Sequence, residues 1–296
     1  MRKIAAFVRL SRPQFLVGGF AGFALGAAVA AYEGARITPL FYAAGQTMVT
    51  AFQLMTHYTN EYYDRAGDRR GRPSAFSGGS GVLVAGGLAP RTALIAGLSC
   101  AGIGALAVIA LAHAGMLVAA GIGAAIGLCA WWYSVPPVRL AERGWGEIDT
   151  ALVVAVFVPL AGYSLFAGSV DELAIAATFA PAFAMFAMMI AVEWPDREAD
   201  TACAKRNLIV RFGSTAAGRL SAGGALLIVP AFFVAIAGGA PWAGAAFSLL
   251  LVPPIAGFVR RIGAPYVSAT EVAARGVTVF LLTVTFAVFG YVTVLR

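Results

Sequence analysis

Apolar runs recur along the whole chain, separated by short polar stretches. About 30 Å of hydrocarbon takes roughly 17 to 25 helical residues to cross. The pattern predicts about nine such segments, near 14–32, 39–60, 92–112, 114–133, 147–168, 172–193, 216–237, 241–259 and 273–295. Backbone groups in lipid have no water to pair with, so each segment is expected to be helix and not strand. Small-residue runs such as Gly121-Ile122-Gly123-Ala124-Ala125 and Ala235 to Ala240 permit close helix packing. The fold class read from this pattern is all-α: a polytopic membrane protein of about nine transmembrane helices, forming a single domain over residues 1–296.

Composition agrees with the pattern. With 60% hydrophobic and 12% charged residues and a mean hydropathy of +0.83, the chain lacks the polar surface of a water-soluble globule. Arg2, Lys3, Arg9 and Arg12 precede the first apolar segment as in a signal peptide, but no small-residue cleavage site follows, so that segment reads as a retained helix. If the N-terminus is cytoplasmic, the nine-segment arrangement places every Lys and Arg except Arg36 and Arg296 inside, as the positive-inside rule requires. The +7 net charge is then explained by topology and anion binding, and a nucleic-acid partner is excluded. The expected location is the cell (inner) membrane, multi-pass, in contact with the lipid bilayer. Cys100, Cys129 and Cys203 are scattered without metal-ligand spacing and read as packing residues.

Candidate chemistry lies where two apolar segments end. Asn60, Asp64 and Asp68 are spaced i, i+4, i+8 and line one face of a helix, and Asp196 and Asp200 repeat the i, i+4 acid pair after the sixth segment. Both acid faces emerge at the same, cytoplasmic, surface. Hard carboxylate oxygens suit Mg²⁺, which takes one or two carboxylates and completes its octahedron with water and phosphate oxygens. A diphosphate clamped this way becomes a good leaving group. The competing reading of either motif alone is an ordinary set of salt bridges to Arg65, Arg69 and Arg197; two matching motifs on one side weigh against it, since acids clustered at membrane depth are functional by default.

At these residues the chain resembles the UbiA superfamily of intramembrane aromatic prenyltransferases, whose motifs are N-x-x-x-D-x-x-x-D and D-x-x-x-D. Arg12-Pro13, Tyr133-Ser134-Val135-Pro136-Pro137, Gly144-Trp145-Gly146-Glu147 and the stretch Lys205 to Gly213 extend the likeness across most of the chain. The resemblance implies a nine-helix fold around a central cavity whose cytoplasmic mouth carries the metal-binding acids. It makes Asp64, Asp68, Asp196 and Asp200 the Mg²⁺ ligands and Asn60 a polar contact to metal or diphosphate. Lys205, Arg72, Arg12, Arg139 and Tyr133 become candidates for diphosphate binding, although Arg12 and Arg139 are equally explained by topology or lipid headgroups. Gly-Trp-Gly-Glu and Ser77 to Val84 look most like the 1,4-dihydroxy-2-naphthoate polyprenyltransferases of menaquinone synthesis. Two departures from that branch are Glu193, where Asn is usual, and Ala204, where Gly is usual.

The implied activity is Mg²⁺-dependent transfer of a prenyl group from a polyprenyl diphosphate to an aromatic acceptor, by ionisation to an allylic cation in a dry cavity. Phe52, Tyr58, Tyr62, Trp131 and Trp132 offer aromatic faces to that cation, with interfacial anchoring the alternative for the two tryptophans. Glu147 is a candidate catalytic residue: Glu147 or Asp149 could orient an acceptor hydroxyl or take the ring proton, or simply stabilise a helix N-terminus. His57 reads as a packing residue, and Met185, Phe186, Met188 and Met189 line either a prenyl channel or the core. Two rivals remain: another acceptor (a glycerol phosphate, another quinone precursor or a chlorin alcohol), and a transporter, whose site would lie nearer the bilayer midplane.

Overall fold

The computed structural model describes residues 2–69, 79–262, 264 and 267–295. Among these, every regular element is a helix. A short α1 (Arg2–Leu10) precedes α2 (Leu16–Tyr32), α3 (Pro39–Asp68), α4 (Pro90–His113) and α5 (Leu117–Ser134). A second group comprises α6 (Gly146–Leu152), a π segment (Val153–Phe157), α7 (Val158–Ala167), α8 (Glu172–Glu193) and α9 (Arg197–Ala202). The chain ends with α10 (Leu208–Ala237), α11 (Ala243–Leu249), α12 (Val252–Arg261) and α13 (Ala269–Val292).

Eight helical stretches among the described residues are long and apolar enough to cross a membrane, and each matches an expected segment. The ninth, expected over 39–60, is α3. It is long enough, at 30 residues, but its hydropathy is lowered by residues such as Gln46, Thr50, Gln53 and Thr56. Gln53 and Thr56 among them face the cavity described below, while Gln46 is buried and donates to Thr50.

The span over Ala243–Arg261 is divided between α11 and α12, and three further breaks have a chemical cause. α8 stops at Glu193 because Pro195 disfavours helix in the residue before it, and a 3₁₀ turn (Trp194–Asp196) intervenes before α9. The π segment runs into Pro159, which has no N–H to continue the α ladder. α10 is kinked at Gly213, whose φ of 77° is open only to glycine at little cost.

Packing follows the small residues. α2 lies against α7 and α13, α3 against α4 and α5, and α8 against α10 and α13. Gly26 of α2 sits so close to α7 that a Cβ there would stand 1.8 Å from the Pro159 carbonyl oxygen, the close approach that membrane helices use when no hydrophobic effect drives them together. Gly121, by contrast, has open space where its Cβ would be. Gly26→Ala is therefore expected to lower stability by about 1–3 kcal/mol through overpacking, and Gly121→Ala to leave it nearly unchanged. Thermal unfolding of the two purified variants in one detergent checks this, and equal midpoints would contradict the packing.

Candidate active site

One cavity of about 480 Å³ runs between α2, α3, α5, α8 and α13. Its polar end carries Arg12, Asn60, Asp64, Asp68, Asp196, Asp200 and Lys205, and its apolar end Val49, Phe52, Val154, Met185, Met188 and Phe280. A charged mouth on a hydrophobic bore suits a ligand with an ionic head and an apolar tail.

Helical spacing on α3 does what the sequence predicts: Asn60, Asp64 and Asp68 all line the cavity. Asn60 donates from Nδ2 to Ser134 Oγ at 3.1 Å, tying α3 to the end of α5. The second acid pair is built differently. Instead of sharing one continuous helix, Asp196 lies in the 3₁₀ turn and Asp200 in α9, because Pro195 interrupts α8. The turn still delivers both to the cavity wall.

Lys205 joins the two motifs. Its Nζ lies 2.6 Å from Asp64 Oδ2 and 3.0 Å from Asp200 Oδ1. Burial alone would favour loss of its proton, but the carboxylates of Asp64 and Asp200 outweigh burial and hold its pKa above the usual lysine range. Asn207 supports the arrangement from below: its Nδ2 donates to Asp200 Oδ2 at 2.8 Å, while its Oδ1 accepts the Val210 N–H and caps α10.

The basic candidates divide. Arg12 lines the cavity, held in the left-handed region (φ 48°) with its guanidinium over the Phe15 ring at 4.6 Å. Arg139 is also left-handed, but it pairs with Glu142 at 3.0 Å and does not line the cavity. Arg72 lies outside the described residues. Tyr133 is on the wall.

The remaining candidates fall in different places. Glu147 is fully buried behind the wall, its Oε1 accepting the Leu208 N–H at 2.5 Å, and the cavity is lined instead by Asp149 and Glu193. Of the aromatic candidates only Phe52 reaches the cavity. Tyr58 is buried against Ser11 Oγ at 2.6 Å, Tyr62 packs on Tyr63 and Arg65, Trp131 of α5 packs against the core and Trp132 is exposed. Met185, Met188 and Met189 line the bore; Phe186 packs in the core. His57 lies on the wall, with Nδ1 2.9 Å from the Ser11 carbonyl oxygen.

Residues without a predicted role also shape the site. Buried Glu61, on α3 beside Asn60, takes hydrogen bonds from the Ser80 N–H and from Ser80 Oγ, fixing the chain next to Asp68. The signal for it is a further acid directly after Asn60, inside the first motif. For Asn207 the signal is a helix-capping asparagine just after a basic pair.

Among the described residues, no three acidic, histidine or cysteine side chains converge tightly enough to hold a metal ion by themselves. Two of the carboxylates, Asp64 and Asp200, meet around the Lys205 ammonium, and Asp68 and Asp196 line the same cavity, a donor set that fits Mg²⁺ shared with phosphate oxygens better than a closed protein cage.

The model of the UbiA prenyltransferase family matches residues 20–284. Similar solved structures include a UbiA homologue from Archaeoglobus fulgidus bound to GPP and Mg²⁺ (TM-score 0.71, 18% identity, 98% of this chain and 100% of that one). A UbiA homologue from Aeropyrum pernix K1 gives a TM-score of 0.71 at 14% identity over 95% and 98% of the two chains. A digeranylgeranylglyceryl phosphate synthase gives 0.69 at 13% identity over 99% and 100%. No curated protein sequence matches. At these identities the structures establish a shared fold. The family match spans most of the chain and includes both acid motifs, so this multi-pass membrane protein belongs to the UbiA prenyltransferase family.

Proposed function

We propose that the protein transfers a prenyl group from a polyprenyl diphosphate to an aromatic acceptor, with a dihydroxynaphthoate of menaquinone synthesis as the first candidate. The observation that carries this reading is the Asp64–Lys205–Asp200 bridge at the mouth of an apolar bore. Solved members of the fold that hold GPP or DMAPP with Mg²⁺ support it. The Gly-Trp-Gly-Glu stretch and residues 77–84 favour the naphthoate branch. The distribution of Lys and Arg favours a mouth on the cytoplasmic side of the inner membrane.

Asp64, Asp68, Asp196 and Asp200 would hold Mg²⁺ together with the diphosphate oxygens. When bound, the ion neutralises charge that builds on the leaving group. Lys205 and Arg12 bind the diphosphate directly, and Asn60 orients it. The bond between the allylic carbon and the diphosphate oxygen breaks, with its electron pair leaving on the diphosphate. A ring carbon of the acceptor then bonds to the allylic carbon. The ring proton passes to a carboxylate on the wall, for which Asp149 is placed better than the buried Glu147. Phe52 and Phe280 flank the cation, and the apolar bore keeps water from capturing it.

A transporter would carry its charged residues near mid-membrane, whereas these acids lie in the last turns of α3 and just after α8. Purified protein incubated with radiolabelled prenyl diphosphate, Mg²⁺ and dihydroxynaphthoate is expected to yield a prenylated naphthoate. Product with a glycerol phosphate or a chlorin alcohol in its place would reassign the acceptor, and no metal-dependent product at all would refute the transfer.

Asp64→Ala and Asp196→Ala are each expected to lower kcat by at least about 10²-fold while the protein remains folded and inserted, a loss comparable to that of other charge-stabilising groups. Near-normal turnover in either would remove the site assignment. Lys205→Met should raise the KM for prenyl diphosphate about tenfold or more, since a charge-assisted contact is lost; steady-state kinetics with the donor varied reads this out.

A further inference from the structure

The turn between α1 and α2 carries Arg12 in a backbone conformation that needs support. Pro13 disfavours the right-handed helical region in the residue before it, and Arg12 takes the left-handed one instead (φ 48°, ψ 57°). A residue with a Cβ stays there only where its surroundings hold it. The Phe15 N–H bonds to the Arg12 carbonyl oxygen, which leaves the Ser11 carbonyl at the end of α1 to a side chain.

The support comes from α3. Gln53 Nε2 donates to the Phe15 carbonyl oxygen at 2.7 Å, on one side of Arg12. On the other side His57 Nδ1 lies 2.9 Å from the Ser11 carbonyl oxygen and donates to it, since a carbonyl only accepts. Ser11 Oγ gives its own hydrogen to the Phe7 carbonyl, so Tyr58 is the donor in its 2.6 Å bond to Ser11. The His57 ring also meets the Phe15 ring edge-on, with centroids 6.3 Å apart, and the Arg12 guanidinium lies over that same Phe15 ring at 4.6 Å. Backbone and side chain of Arg12 are thus both tied to α3, the helix that carries Asn60, Asp64 and Asp68. Among the described residues Arg12 is in no ion pair, although it lines the cavity. Arg139 has the same left-handed backbone, but Glu142 takes up its charge away from the wall. A guanidinium held at a cavity mouth without a carboxylate of its own keeps its donors for an anion, and phosphate oxygens match their geometry.

We propose that Gln53 and His57 are positioning residues for the diphosphate: by clasping the Ser11 to Phe15 turn onto α3, they hold the Arg12 guanidinium in register with the aspartates of that helix. This rests on the donor half of the transfer reading and extends it to residues that act through Arg12. A guanidinium grips phosphate through parallel hydrogen bonds, which require direction as well as proximity. A turn released from α3 would keep the charge nearby and lose the direction.

The test is equilibrium binding of GPP and of inorganic pyrophosphate to the purified full-length protein with Mg²⁺, which involves no acceptor. His57→Leu, which loses the donor, should weaken both ligands about tenfold. His57→Asn, whose amide nitrogen can donate from the place of Nδ1, should bind both within about threefold of the unsubstituted protein. Gln53→Met keeps the length of the side chain without its donor and should weaken both at least about threefold. In an Arg12→Ala background, His57→Leu should cost less than about twofold more, because a residue that acts through another is not additive with it. The proposal is overturned by unchanged binding in His57→Leu or Gln53→Met, by a tenfold loss that persists in the Arg12→Ala background, or by no recovery in His57→Asn. A loss for GPP that pyrophosphate does not share would also overturn it, since that places the residues against the prenyl chain. If His57→Leu does not fold, Gln53→Met carries the same cycle with Arg12→Ala. Failure of the unsubstituted protein to bind either ligand would instead overturn the transfer reading, and this inference with it.

Discussion

A single ammonium group holds the mouth of this protein together. Lys205 brings the carboxylates of Asp64 and Asp200 to one point, although they come from α3 and α9, far apart in sequence. Removing water from two carboxylates costs several kcal/mol each, and only a fixed opposite charge with further hydrogen bonds makes that tolerable. Asn207 supplies such a bond to Asp200. A diphosphate entering here meets groups already desolvated and aligned, so less reorganisation is needed when charge moves onto it.

The helices around the mouth are shaped by what the cavity needs. Straight α-helices in lipid satisfy their own backbone, and irregular backbone is tolerated only where it is buried or lines a cavity. The π segment at Val153–Phe157 obeys this: Val153 and Val154 lie on the wall. So does the 3₁₀ turn that carries Asp196. Proline next to these two breaks removes a donor that would otherwise continue the ladder, so the irregularity follows from the residue and is placed where the cavity accepts it.

Much of this is legible in the sequence because lipid allows few solutions. Each expected segment is helical, since only one secondary structure can cross, although 147–168 and 241–259 are each divided among shorter helical pieces. On the first acid motif the spacing also suffices, because Asn60, Asp64 and Asp68 lie on one uninterrupted helix. Residues whose place depends on a distant partner are less accessible. The spacing that groups Asp196 with Asp200 does not reveal that a turn separates them. Glu147 looks available at a helix start, yet Leu208, far along the chain, captures it. Tyr58 looks like a cavity aromatic, yet the N-terminal Ser11 turns its hydroxyl away. Helical periodicity fixes a face; it does not say which neighbour covers that face.

The loop between α9 and α10 shows how local strain and long-range charge are balanced. Ala204 has a φ of 58°, a left-handed conformation that costs a residue with a Cβ roughly 1–2 kcal/mol. Glycine, usual at this position in the naphthoate branch, would adopt it without that penalty. The conformation lets the Lys205 N–H reach the Asp200 carbonyl oxygen at 3.0 Å, which closes the turn and returns the lysine side chain to the Asp200 carboxylate. The same turn sends Asn207 to cap α10 and donate to Asp200. One strained residue thus fixes three polar contacts to Asp200, two of them to its buried carboxylate, and those contacts offset the conformational cost. An unstrained path through Ala204 would leave the acids of two helices facing each other with no cation between them, and like charges at that depth would drive the mouth apart.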